Sequence, residues 1–370
     1  MRQDNKIIDQ RIQLPFKLKK SVLAFGSQLK NTVCFAQGST ALISRVHDDL
    51  SHPEDFLKFR ETTAHFLKKG PQLFAVDMHP EYQSTKYALS IAAGKKISPV
   101  QHHHAHLVSC LVENLARDKK AIGVAFDGTG FGESGRLWGA EFLVFGYKNF
   151  TRQAHLKEIP LAGGERAIQE PWRLSAAWLD QCSIKLPGYI DKKKWVILKK
   201  AIEKNINSPL ASSMGRLFDA AASIIFSKPG AGFEAELAIR LEKSAVKTKG
   251  KPCAYGFEIK KEGQEYIIDP KKVFQGIIRD LKAGSGREMI ALKFHQSVAS
   301  MVVLVCSKLA ARTGIKTIVL SGGVFQNRLL HNLARRSLEA RGFLVLAPKA
   351  LSPNDSGISL GQALAAKGAF

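Results

Sequence analysis

Paired cysteines are what this 370-residue chain most plainly lacks. Its five cysteines, Cys34, Cys110, Cys182, Cys253 and Cys306, are scattered with no CxxC pair, which indicates neither a disulfide framework nor a structural zinc finger. An apolar run of the ~18–20 residues that span a bilayer is also missing, and the longest candidates, such as Met301 to Leu309, read as core elements. No apolar signal-peptide core follows Met1 to Lys6, so the expectation is a cytoplasmic protein with no membrane partner. Acidic residues are scarce beside basic ones: 32 Asp and Glu against 55 Lys and Arg leave a net charge of +23, which favours anionic partners. The lysines gather at Asp191-Lys192-Lys193-Lys194, Lys199-Lys200, Lys243 through Lys251, and Lys260-Lys261, which read as solvated helix faces and loops. Aromatic residues are nearly absent from these runs, Trp195 being the exception. Nucleic acid is therefore a possible but unfavoured partner, and phosphate-bearing substrates or an acidic protein account for the charge equally well.

What is present is an unusual density of histidine. The segment Gln101-His102-His103-His104-Ala105-His106 places four histidines in five positions at the entry of a run that reads as a helix to about Arg117. Residues i and i+4 share a helix face, with Cβ atoms roughly 5–6 Å apart. His102 and His106 can therefore reach one ion together, while His103 and His104 point elsewhere. The same residues also fit a solvated polar helix start or an accidental histidine tract.

The chain around this cluster alternates strands and helices, and its length suits two core-bearing domains. Short strands are expected at Ser21 to Gly26 and on both sides of Gly38. A helix follows at Pro53 to Lys68, then a strand at Gln72 to Asp77 and a helix from Pro80 to about Ala93. Buried strands follow at Ala121 to Phe126, Thr317 to Leu320 and Phe343 to Leu346. Three strands end in glycine turns, at Gly26, at Asp127-Gly128-Thr129-Gly130 and at Ser321-Gly322-Gly323. Such turns let backbone N–H groups approach a phosphate, and three of them suggest a nucleotide held between two lobes. Each alone also fits a tight connection. Asp127, at a strand's carboxyl end, is a candidate third metal ligand or a cap for its own turn. Arg216 and Asp219 sit one helical turn apart, as a local ion pair or as part of a site. Asp355, ahead of a small-residue helix, is an N-cap or the carboxylate of a His/His/carboxylate set suited to Fe(II) or Zn(II).

Eight segments carry a resemblance: Gly26 to Thr32; Val76 to Tyr82; Gln101 to His106; Phe126 to Glu133; Pro160 to Glu165 with Glu170 to Arg173; Ser213 to Asp219; Ser321 to Asn327; and Ser352 to Gln362. In this order they resemble the carboxyl-terminal half of the hydrogenase-maturation carbamoyltransferase HypF, from about residue 20 to the end. The resemblance implies an α/β fold of two ribonuclease-H-like lobes in the actin/hexokinase/Hsp70-like (ASKHA) superfamily, related to the catalytic subunit that makes threonylcarbamoyl adenosine on tRNA. It further implies a polar tail at 1–20, an N-terminal lobe at 21–150 with the metal-binding histidines, and a nucleotide-binding lobe at 151–370 whose final helix returns to the cleft.

The same resemblance assigns His102, His106, Asp127 and Asp355 to a divalent metal, Fe or Zn. It places Asp219, Glu234 and Asn327 at the nucleoside, Gly322 and Gly323 near the phosphate or base, and Gly128 and Thr129 at the nucleotide. Lys30 becomes a phosphate or carbamoyl contact, and His79 faces the transferred group as an acid/base or orders the cleft wall. The implied reaction moves the carbamoyl group of carbamoyl-adenylate, which carries the AMP moiety of ATP, to the carboxyl-terminal cysteine of a HypE-like acceptor. Other acceptors, a small-molecule hydroxyl or tRNA, and a non-catalytic nucleotide-binding scaffold are the alternatives. The acylphosphatase-like, CxxC and YrdC-like parts of full-length HypF are not in this sequence, so a separately encoded YrdC-like protein is expected to supply the adenylate. Two residues depart from the family pattern: Ala235 stands where glycine is usual, and Ser356 replaces a common glycine beside Asp355.

Overall fold

The expected strands assemble into two sheets with one shared plan. The computed structural model describes residues 7–117, 120–132, 135–248, 250 and 253–369. Residues 1–6, Glu133, and Lys249 and Lys251 of the basic stretch lie outside them.

The first lobe runs β1 (Ile8–Gln13), β2 (Val22–Ala24), β3 (Leu29–Asn31), β4 (Cys34–Gln37), β5 (Thr40–Ser44), β6 (His47–Asp49), α1 (Pro53–Leu67), β7 (Leu73–Asp77), α2 (Gln83–Ser90), β8 (Lys96–Val100) and α3 (His102–Glu113). Its sheet is ordered β1-β5-β4-β2-β7-β8, with β2 antiparallel to β4 but parallel to β7. The second lobe begins with β9 (Ala121–Phe131), β10 (Leu137–Phe145), β11 (Phe150–Leu156), β12 (Ile159–Pro160), α4 (Arg166–Gln169), α5 (Trp172–Gln181), α6 (Lys192–Glu203), β13 (Leu210–Ser213), α7 (Met214–Phe226) and α8 (Glu236–Val246). It continues with β14 (Glu258–Glu262), β15 (Glu265–Asp269), α9 (Lys271–Lys282), α10 (Arg287–Thr313), β16 (Thr317–Ser321), α11 (Arg328–Glu339), β17 (Leu344–Leu346) and α12 (Ile358–Ala365). Its sheet contains the order β11-β10-β9-β16-β17, with β9 antiparallel to β10 and parallel to β16. The cores β5-β4-β2-β7-β8 and β11-β10-β9-β16-β17 thus repeat one topology, three antiparallel strands followed by two parallel additions. This is the two-lobed, ribonuclease-H-like architecture that the resemblance implies.

Several sequence expectations need correction. The stretch read as a polar tail contains β1, whose residues alternate between half-buried and exposed. An edge strand covered on one face carries few apolar residues, so its pattern reads as polar. A lobe boundary at residue 150 would separate β10 from β11, which pair antiparallel in one sheet; the second sheet begins at Ala121. The helix expected from Pro80 starts at Gln83 and ends at Ser90, shortly before Ala93 turns left-handed at φ 44. The histidine helix stops at Glu113 rather than Arg117, with Leu115 left-handed at φ 50. Helix α10, 27 residues long, is long and apolar enough to cross a bilayer, but its apolar window is 72% buried inside the fold and serves as a core element.

Packing fixes the parts that matter for the site. Phe126, fully buried, stacks on Phe325 with ring centroids 5.4 Å apart. Burying such a side chain is worth about 1.5–3 kcal/mol, so the residue before Asp127 is firmly anchored. Helices α3 and α12 lie in one core cluster with β2, β9 and β10. A Cβ on Gly361 of α12 would lie 1.8 Å from the Ala105 carbonyl oxygen, so these two helices meet backbone to backbone.

Candidate metal centre and nucleotide cleft

Helix α3 begins at His102 because Gln101 caps it, its side chain accepting from the His104 backbone N–H at 2.9 Å. All four histidines are buried, and they divide by direction. His104 Nε2 reaches the Gly146 carbonyl at 2.7 Å, and His103 Nδ1 reaches the Gln101 side-chain amide at 3.0 Å. Burial pushes both imidazoles down to about 4, so they act as neutral structural groups. His102 and His106 face the other way, their rings 5.0 Å apart.

Two carboxylates from distant chain segments meet them. Asp127 Oδ2 lies 3.0 Å from His106 Nε2 and 3.5 Å from His102 Nε2. Asp355 Oδ1 lies 3.6 Å and 3.8 Å from the same atoms. One donor atom from each of the four residues falls within 4.8 Å of all the others. Metal bonds of about 2.0–2.1 Å in a tetrahedral site place donors roughly 3.3–3.4 Å apart, so these separations need little adjustment to close on one ion. His102 Nε2 is buried with no hydrogen-bond partner, an orphan that a cation would satisfy. Burial opposes charge on His102 and His106, but the surrounding carboxylates outweigh it and raise both imidazoles. Burial likewise opposes charge on Asp127 and Asp355, and the imidazoles overcome it and hold both carboxyls low. Two protons thus balance two carboxylates, and a divalent cation can replace those protons without changing the charge.

Sequence reading missed the residue that orients this set. Asp77, 1% exposed at the end of β7, lies 2.8 Å through Oδ2 from His102 Nδ1 and accepts the His79 N–H through Oδ1 at 2.9 Å. A carboxylate on the distal imidazole nitrogen turns the other nitrogen toward a metal. Its signal was the strand-end position, already used to select His79 two residues later.

The turn expected at Asp127 is not a turn. Strand β9 continues to Phe131 and pairs with β10, with a register irregularity between Trp138 and Ala140. Its glycines serve close approach instead: a Cβ on Gly130 would lie 2.6 Å from His103 and 3.0 Å from His102. Asp127 Oδ1 accepts the Gly128 N–H at 2.8 Å, leaving Oδ2 for the histidines. At Gly26 a real turn exists, φ +69, but its N–H donates to Gln362 Oε1 at 2.8 Å and a strand follows, so it is no phosphate cradle. Gly322, φ +100, lies where a Cβ would meet the Phe126 carbonyl oxygen at 2.3 Å, and so packs on β9 rather than lining the cleft.

Asp127 and Asp355 of this set line a cavity of about 1340 Å³ between the lobes. Lys30, His79 and Tyr82 line it from the first lobe, and Asp127 to Gly130 of β9 with Arg216, Asp219, Glu234, Gly323 and Asn327 from the second. Lys30 is exposed with φ 47. His79 stacks on Tyr82 at 4.2 Å, and burial lowers its imidazole despite Asp77. Arg216 and Asp219 form the local pair, 3.1 Å apart and both nearly fully buried; desolvation raises the Asp219 carboxyl against the pull of Arg216. Asn327 caps α11 through Oδ1 to the Leu330 N–H at 2.9 Å, and its amide donates to His295 Nε2 at 2.9 Å. Both its polar ends therefore already serve the fold.

Two family models match this sequence. One, described as the HypF Kae1-like domain, covers residues 17–113; the other, described as carbamoyltransferase, Kae1-like domain, second subdomain, covers 123–362. The chain belongs to the HypF carbamoyltransferase family. Carbamoyltransferase HypF2 of Cupriavidus necator is 35% identical over 92% of this chain and 46% of its own. Carbamoyltransferase HypF of Synechocystis is 32% identical over 96% and 48%. The chain spans about half the length of these curated HypF relatives. A HypF homolog of Cupriavidus necator, 33% identical, is matched over 90% of its length. The crystal structure of full-length HypF in its phosphate- and nucleotide-bound form superposes with a TM-score of 0.90 at 38% identity, over 96% of this chain and 56% of that one.

Proposed function

We propose that this chain transfers the carbamoyl group of carbamoyl-adenylate to an acceptor, the carboxyl-terminal cysteine thiol of a HypE-like protein. The observation that carries the reading is the set of buried His102, His106 and Asp127 with half-buried Asp355, whose two carboxylates line a cleft of nucleotide size. Those four residues would hold Fe or Zn, with Asp77 fixing His102. When bound, the metal supplies Lewis acidity toward a carbamoyl or phosphoryl oxygen.

The chain's own residues do the rest. Asp219 and Glu234 take the ribose, the backbone at Gly128 and Thr129 lies along the phosphate, and Gly323 and Asn327 border the base. Lys30 and His79 approach the transferred group from the first lobe, Lys30 as a positive contact and His79 as a neutral acid/base. Lobe walls exclude the water that would hydrolyse the mixed anhydride. The acceptor thiolate attacks the carbamoyl carbon, the bond to phosphate oxygen breaks, and AMP leaves. No cysteine of this chain is needed: Cys34, Cys110, Cys182 and Cys306 are buried, and Cys253 lies outside the cleft. A YrdC-like activity supplies the adenylate. Nucleic acid stays the less favoured partner, since Trp195, the aromatic of the lysine runs, is buried.

The test incubates the metal-loaded chain with carbamoyl-adenylate and a peptide matching the acceptor tail, reading the peptide by mass spectrometry. A carbamoylated thiol with stoichiometric AMP is expected. Adenylate hydrolysis without peptide modification would sink the acceptor assignment.

A further inference from the structure

Arg216 is a charged group that none of the site assignments uses. It is 3% exposed, stands in the first turn of α7 and lines the cleft. Its Nη2 faces Asp219 Oδ2 at 3.1 Å, yet its Nε and Nη1, and Asp219 Oδ2 itself, have no hydrogen-bond partner. A buried guanidinium left with open N–H groups is costly unless a ligand fills them. Its placement is rigid. Ser213 Oγ accepts the Arg216 N–H at 3.1 Å and donates to the Asp127 carbonyl at 3.2 Å, with the Gly128 carbonyl as a second close partner. Helix α7 is thereby tied to the strand that carries Asp127. A Cβ on Gly128 would lie 3.7 Å from Arg216 Nη2 and 3.9 Å from Glu234 Oε1.

We infer that Arg216 clamps the phosphate of the adenylate and, after transfer, that of AMP. This rests on the nucleotide reading above. A ligand whose carbamoyl end reaches Asp127 and whose ribose reaches Asp219 and Glu234 must lay its phosphate across Gly128, where the guanidinium waits. The planar fork suits two phosphate oxygens, while Asp219 Oδ2 remains for a ribose hydroxyl. As the carbamoyl carbon passes to the thiolate, the electron pair of the broken C–O bond stays on the phosphate, which gains one negative charge. Arg216 meets that charge, so it favours the leaving group over the bound ester.

The experiment compares AMP and adenosine binding to the full chain by titration calorimetry, in wild type, Arg216→Lys, Arg216→Gln and Arg216→Gln with Asp219→Asn. The double variant removes both members of the buried pair, so no carboxylate is left stranded. Wild type is expected to prefer AMP by at least about tenfold. That preference should shrink in Arg216→Lys and fall to roughly twofold or less in both glutamine variants. A preference that survives Arg216→Gln, or AMP and adenosine weakening by the same factor, overturns the phosphate clamp alone. A wild-type chain that binds neither ligand overturns the nucleotide reading and the clamp with it.

Discussion

Replacing Gly361 by alanine tests whether Asp355, the proposed fourth metal donor, depends on the packing of α12 against α3. The added Cβ would lie 1.8 Å from the Ala105 carbonyl oxygen and 2.5 Å from its carbon, where ordinary contact begins at 3.4 Å. The helices must therefore separate by about 1.6 Å, because backbone cannot rotate aside as a side chain can. Overpacking of this kind costs about 1–3 kcal/mol, and the backbone contact places it at the upper end. Alanine recovers about 1 kcal/mol of helix propensity over glycine, leaving a net loss of about 2 kcal/mol. The displacement also moves the segment carrying Asp355, and metal sites tolerate only about 0.2 Å. Metal affinity should fall by at least the roughly ten- to hundredfold that losing an outer-shell partner costs. Urea unfolding of the metal-free chain and metal titration against a competing chelator measure the two effects. Gly188→Ala, with nothing within 4 Å of its Cβ, is the control and should stay within about 0.5 kcal/mol of wild type. Gly361→Ala matching that control in both assays would refute the packing argument.

Asp77→Asn keeps the shape beside His102 Nδ1, 2.8 Å away, but removes the charge, so metal affinity should drop roughly ten- to hundredfold with little change in folding; unchanged affinity removes Asp77 from the site. Ala235 holds φ 61, a left-handed strain of about 1–2 kcal/mol that exceeds the roughly 0.5–1 kcal/mol entropy cost of glycine. Ala235→Gly should therefore raise stability by up to about 1 kcal/mol, and a lower melting temperature would contradict this. His295 binds the Ala291 carbonyl through Nδ1 and accepts from Asn327 through Nε2; burial lowers it from 6.5 to about 4. Its neutral form is favoured in the fold, so its stabilisation is complete above pH 6.5 and is lost as pH falls from 6.5 toward 4. Between pH 7.5 and 5.5 wild type should lose about 1 kcal/mol more than His295→Gln in urea unfolding; equal losses would show that His295 is not held neutral.

How much of this was legible depends on the range of each interaction. The His102 and His106 pair was readable because helix periodicity puts i and i+4 on one face, although the cap by Gln101 that starts the helix was not. Buried strands such as Ala121 to Phe126 declared themselves by unbroken apolar character. Asp127 was found but its setting was misread: glycine allows either a turn or a close approach, and spacing along the chain does not distinguish them. Here Gly130 passes over the histidine rings. Asp77 was passed over and Arg216 left undecided between an ion pair and a site, because their meaning lies in one partner across the fold or in the lack of one. Likewise Asn327 attracted attention by its motif, yet its contact with His295, 32 residues away, carries no local pattern.

The fourth donor shows why the two lobes cannot be treated as independent binding units. Asp355 comes from the carboxyl-terminal segment, which Asn354 Nδ2 ties to Gln326 Oε1 of the second lobe at 3.4 Å, yet the hydrogen bonds on either side of it lead to the first lobe. Glu113 Oε2, at the end of α3, accepts the N–H groups of Lys349, Ala350 and Leu351 at 2.6–3.0 Å. Thr32 Oγ1 donates to the Ser356 carbonyl at 2.9 Å and lies 2.6 Å from Ser359 Oγ. Gln362 clamps Gly26 through both its amide ends. Thr32, just after the Lys30 strand β3, thus shares a hydrogen bond with the residue after Asp355, and Gly361 seats the helix on Ala105. An ion bound to His102, His106, Asp127 and Asp355 therefore stabilises the docked carboxyl terminus by the same free energy with which docking improves the site. The turn at Gly26 belongs to this joint, which explains why its amide meets glutamine rather than phosphate.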